Sequence, residues 1–139
     1  IKYKKPILLT ALMLILLVVF FWYRSKGKIE VAQVPMDNIN DQASEAEQEK
    51  ANELARAMYT NFESYNAFNF WYRPLEPFEE FVRVSDKVFV MVYNRFNQLY
   101  GMTGNGSLRE WFNDEAFSKN DWEFIETIVF PRMDRLNLT

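Results

Sequence analysis

The sequence predicts an all-α protein, with one N-terminal transmembrane helix and a small soluble domain of four to five helices. Three observations predict it. An uncharged apolar run opens the chain. Apolar residues then recur at helical spacing through most of the remaining sequence. Residues that cap helices or stop them stand at the ends of those stretches. Three regions result: an anchor with basic flanks over 1–26, a linker over 27–43 and a helical domain over 44–139.

The anchor is the run from Pro6 to Tyr23, eighteen residues without a charge. A helix of that length rises about 27 Å, close to the thickness of a hydrocarbon core. Ile7, Leu8, Leu9, Leu12, Leu14, Ile15, Leu16, Phe20 and Phe21 are its lipid-facing candidates, and Trp22 and Tyr23 suit an interfacial belt. No small-x-small site comes after the run, which argues against a cleaved signal peptide. Lys2, Lys4 and Lys5 flank one end and Arg24, Lys26 and Lys28 the other. With equal basic flanks, orientation stays open. Residue 1 is Ile, so an initiator Met or short leader is expected to precede it.

Residues 27–43 are polar, lack helical periodicity and contain Pro35. They read as a linker that holds the domain off a bilayer. Ser44 and Glu47 form a capping box. Ala51, Leu54, Ala55, Met58, Tyr59 and Phe62 come next on one face, giving a helix over 44–62. Residues 63–77 are irregular and broken by Pro74 and Pro77, with Pro77 placed to start a short helix that turns Phe78, Phe81 and Val82 inward. Ser85 caps the next helix, whose inward face is Phe89, Val92, Tyr93, Phe96, Leu99 and Tyr100. The run Val88–Val92 is rich in β-formers, but the longer period favours helix. Gly101 stands where a left-handed residue ends a helix. After the loop to Gly106, Ser107 and Glu110 form a second capping box, with Leu108, Trp111 and Phe112 inward. Ser118 or Asn120 caps the last helix, with Trp122, Ile125, Ile128 and Val129 inward and Pro131 kinking or ending it.

Composition narrows the function. The 139 residues carry a net charge of −3 and are 17% aromatic. Residues 1–28 hold six basic side chains and no acid, while residues 29–139 hold 10 basic and 19 acidic ones. So acidic a domain argues against a nucleic-acid partner, since phosphate binding needs clustered Lys and Arg. Basic flanks suit anionic headgroups, which makes a lipid bilayer the first expected partner. The chain has no Cys and no His. Thiol chemistry, Cys-based metal sites and the commonest general base are therefore excluded. No enzymatic activity, cofactor, metal or small-molecule substrate is expected.

Local motifs read as structure. Gly101-x-x-Gly104-x-Gly106 lacks the spacing and the preceding strand of a phosphate loop. Glu110, Asp114 and Glu115 cluster, but an acid–base pair needs a defined separation across a cleft. Ser85, near Lys87, reads as a helix cap rather than a dyad partner, and Ser118 and Lys119, being adjacent, do not face each other on a helix. The acids from Asp37 to Glu53 lack the converging spacing of a calcium site. The feature left for function is the aromatic cluster Phe62, Tyr65, Phe68, Phe70, Trp71 and Tyr72. It either plugs the core or forms a partner interface.

Three stretches resemble an annexin-like helical repeat of the kind found in proteins of Bacteroidota and their phages. Ala51–Met58 (ANELARAM) resembles its first helix, Val92–Gly101 (VYNRFNQLYG) its middle helix, and Gly106–Glu115 its G-x-L-x-x-W-x-x-x-E helix. The likeness covers residues 50–130. The family's Gly-x-Gly-Thr calcium loop is replaced by Tyr59-Thr-Asn-Phe62, so calcium and calcium-dependent lipid binding are not implied. The resemblance implies a scaffold module. The expected function is a single-pass membrane-anchored structural protein, a minor virion protein tying a phage's internal membrane to its capsid or vertex. Accessory subunit of a bacterial envelope or respiratory complex is the alternative, ahead of a membrane-tethered carboxylate hydrolase or a holin. The expected location is a membrane, the virion's internal one or else the bacterial inner membrane.

Overall fold

The computed structural model describes residues 10, 12–20, 43–103 and 105–139. Among them every regular element is helical, with no strand. The helices are α1 (Glu45–Ser64), α2 (Glu76–Arg83), α3 (Asp86–Tyr100), α4 (Leu108–Asp114), α5 (Lys119–Phe124) and α6 (Phe130–Arg135).

The membrane-spanning helix is corrected. Within Pro6–Tyr23 the described helical stretch is residues 12–20, which includes Leu12, Leu14, Ile15, Leu16 and Phe20, all exposed. Ile7, Leu8, Leu9, Phe21, Trp22 and Tyr23, like the linker 27–42, lie outside the described residues. Among the described residues, no helix is long and apolar enough to cross a membrane.

Helix starts obey local chemistry. Ser44 and Glu47 close a reciprocal box at α1, and Ser107 and Glu110 another at α4. The Ser85 hydroxyl accepts from Val88 N–H, and that of Ser118 from Asp121 N–H. The run Val88–Val92 lies inside α3.

Three details differ from the sequence expectation. Gly101 keeps a right-handed backbone (φ −59°), because α3 tightens into a 3₁₀ turn over Gly101–Thr103 instead of ending there. The left-handed step falls at Gly106 (φ 83°), just before the Ser107 cap. Pro131, expected to kink or end the last helix, does not stop it. A π turn over Ile125–Val129 absorbs the proline, with Phe130 N–H donating to the carbonyl of Ile125, five residues back. Pro131 then sits in the first turn of α6, where its missing N–H costs nothing. The wide turn shifts the helical phase, so Ile125 and Val129 are buried while Ile128 is 47% exposed. Leu99, also expected inside, is 46% exposed near the end of α3.

α1 packs on α3 as the central pair, with α2 and α4 against them. Phe62 lies at the middle of the core, its ring 5.3 Å from Phe78, 5.9 Å from Phe96, 5.5 Å from Trp111 and 5.3 Å from Phe112. Asn97, buried in α3, accepts the Leu108 N–H at 2.7 Å and so helps cap α4 from another helix. The C-terminal end closes on itself. Asn137 is left-handed (φ 56°), its N–H donates to Asp134 O at 3.1 Å, and Leu138 N–H reaches back to Met133 O at 2.9 Å. That six-to-one and five-to-two pattern turns Leu138 into the core against the helix it ends. Tyr93 OH donates to Thr139 O at 2.6 Å.

Candidate aromatic docking ledge

The segment between α1 and α2 is an ordered turn built from short polar side chains. Asn66 Oδ1 accepts the Phe68 N–H at 2.9 Å, and Asn69 Oδ1 accepts the Asn66 N–H at 2.7 Å. Asn69 Nδ2 donates to Ser64 O at 3.3 Å. These Asn bonds give the backbone partners that a helix would have supplied. One 3₁₀ turn, Phe70–Tyr72, then leads to Arg73.

Arg73 ties this turn to the body of the domain. Its side chain is fully buried. Nη1 donates to Asn61 Oδ1 at 2.9 Å, and Nη2 donates to Tyr65 O at 3.2 Å and Glu115 Oε2 at 2.8 Å. The guanidinium lies 4.6 Å from the Phe117 ring centre and 5.7 Å from that of Tyr65. Asn61 Nδ2 in turn holds Pro74 O at 2.8 Å. A planar cation with several fixed donors therefore joins the end of α1, the base of the turn and the residue after α4. Burial pushes the Glu115 carboxyl above its ordinary value; the Arg73 charge opposes this, and Glu63 and Asp114 add to the rise.

The turn presents a ledge to solvent. Phe68 is 85% exposed, Trp71 56% and Tyr72 73%. Edge-to-face contacts run Phe70–Trp71 at 4.9 Å and Trp71–Tyr72 at 6.0 Å. Tyr65 and Phe70 are half-buried at the base. Phe62 is not part of the ledge, because at 2% exposure it belongs to the core. Of the six aromatics nominated from sequence, three are thus presented together, two support them and one is inside.

The other nominated groups hold structural posts. Glu110 accepts the Ser107 N–H at 2.6 Å within its capping box, Glu115 is taken by Arg73, and Asp114 is exposed. Among the described residues, no group of three or more acids is placed to hold a metal ion. Sequence reasoning missed Arg73 and Asn61, and the pairing of Arg73 with Glu115. One signal was available: Arg73 is the sole charged residue between Glu63 and Glu76, within a run of aromatics.

No family model, curated protein or solved structure matches this chain. The annexin-like resemblance therefore rests on its three short stretches alone.

Proposed function

We propose that the helical domain is a docking module of a larger protein assembly, and that Phe68, Trp71 and Tyr72 are the side chains its partner buries. The observation that carries this reading is three large exposed aromatics on one turn, held by a buried arginine. Rigid aromatic anchors lose little entropy on binding and dominate interface energetics. A largely exposed Phe on an ordered turn contributes nothing to the fold that a polar residue would not. Of the acids that sequence offered for catalysis, Glu110 is engaged in a cap and Glu115 by Arg73, while Asp114 is exposed, which favours binding over chemistry. The resemblance over residues 50–130 supports a virion shell as the assembly, with this chain a minor structural component.

The test is to place a photo-crosslinking amino acid at position 68, 71 or 72 and identify what it captures in the native assembly. Capture of one assembly protein at these positions, and not at the exposed residue Arg135, which α6 ties to Asp86, is the expected result. A companion variant, F68S/W71S/Y72S, is expected to keep its thermal midpoint within a few degrees and to sediment free of the assembly. A triple variant that stays with the assembly would overturn the reading.

A further inference from the structure

A groove of about 780 Å³ runs along the outer face of α1 and against the segment that joins it to α2. Glu49 and Glu53 line one end, both exposed. Tyr65 and Pro74 line the other, and these two residues bound the turn that carries the ledge. Asn52 and Thr60 line the wall between. From Glu49 to Ser64 the helix advances about 22 Å. An extended strand of that length holds about seven residues.

We infer that the groove seats an extended segment of the partner protein, about seven residues long, with basic side chains over Glu49 and Glu53 and apolar ones against Tyr65, Pro74 and the ledge. This deepens the docking reading and rests on it. Charge decides the occupant's chemistry. Glu53 has one long contact with Lys50, at 3.8 Å, and Lys50 is engaged more closely by Glu80 of α2. The acidic end is thus undercompensated, in a domain that is acidic overall. Arg56, one turn along from Glu53 and two from Glu49, lines the middle of the groove and suits the carbonyls of an extended chain. Amide and hydroxyl groups of Asn52 and Thr60 match backbone hydrogen bonding there. The aromatic end has no charge between Glu63 and Arg73, so it suits apolar side chains.

The test uses the full chain and three fluorescein-labelled heptapeptides, read by anisotropy at low salt. One has two lysines, two serines and three leucines in that order. The second replaces lysine with glutamate, and the third replaces leucine with serine. The lysine–leucine peptide is expected to saturate and to bind roughly tenfold tighter than either relative, the scale of two partly exposed ion pairs. E49Q/E53Q should bring it to the level of the glutamate peptide without moving the thermal midpoint, and added salt should do the same. Equal binding of lysine and glutamate peptides, or a preference that survives E49Q/E53Q, overturns the inference. The two readings fail separately. If F68S/W71S/Y72S releases the assembly while the lysine–leucine peptide shows no preference, the ledge stands and this occupant falls. If the peptide discriminates as expected but the triple variant stays with the assembly, the groove stands and the ledge reading falls.

Discussion

Arg73 shows how one side chain gains a role that its neighbours in sequence do not announce. Its charge is removed from water and returned as hydrogen bonds to Asn61, Tyr65 and Glu115. Taking out one partner of such a pair costs more than the pair was worth, because the other charge stays behind. R73M is expected to destabilise the domain by about 3 kcal/mol in urea unfolding. R73K should recover little of this, since an ammonium has neither the planar fork nor the reach to serve three acceptors. Phe62 packs against four aromatic rings in the core, and F62A should cost about 3–5 kcal/mol by the same measurement. Acidic residues set the pH response with opposite signs. Hydrogen bonds from Arg135 and Arg132 hold Asp86 well below the usual carboxylate range. The stability it supplies is present above its unfolded value, near 3.8, and is lost as pH falls toward the lower folded value. Glu115 works the other way. Its folded value lies above the ordinary 4.5, so its proton favours the fold, and stability declines as pH rises from 4.5 through the folded value. Urea midpoints against pH should therefore climb out of acid and then dip slightly. D86N should flatten the acid limb and leave the dip in place.

Elements in this domain begin and end on local chemistry, and one joint depends on a glycine. At Gly106 the backbone is left-handed, and a Cβ would run into the Glu110 carboxylate, which folds back to cap α4. G106A must strain the backbone and displace the cap together. A loss of about 1–2 kcal/mol is expected in thermal or urea unfolding, with S107A costing about 1 kcal/mol. The π turn before Pro131 is a second joint. It trades one regular turn for a helix that continues far enough to bring Arg132 and Arg135 to Asp86. Arg132 also donates to the carbonyls of Val82 and Val84 and lies 4.5 Å over the Phe89 ring, so α6 is fastened to the corner between α2 and α3. The aromatic turn is a third joint, built from Asn66 and Asn69 rather than from packing.

Across the whole domain, one core and three long-range ties argue for a single cooperative unit. Arg73 with Glu115, Lys87 with Glu47 (3.0 Å), and Asp86 with Arg132 and Arg135 each join elements distant in sequence. Leu138 and Tyr93 add the C-terminal residues to the same core. L138A is expected to cost about 2–5 kcal/mol. It should also shift the far-ultraviolet and tryptophan transitions together, whereas separated transitions would show the C-terminal helix melting by itself.

Most helix starts, and the inward positions of α1, α2 and α4, were legible in the sequence because they depend on residues three or four apart. Ser44 with Glu47, Ser107 with Glu110, and the stripe from Ala51 to Phe62 need no knowledge of the rest of the chain. The apolar run Pro6–Tyr23 was equally visible, and among the described residues no helix is long and apolar enough to cross a membrane. Within the aromatic cluster, sequence could not tell Phe62 in the core from Phe68 in solvent, since both sit in one charge-poor run. Tertiary structure separated them, by ending α1 two residues after Phe62 and by turning the chain on Asn66 and Asn69. It likewise sent Ile128 and Leu99 outward and gave Arg73 its acceptors, one of which, Glu115, lies 42 residues away in sequence. Composition and short-range spacing determined what each segment is; contacts between distant segments decided which of its side chains stay exposed.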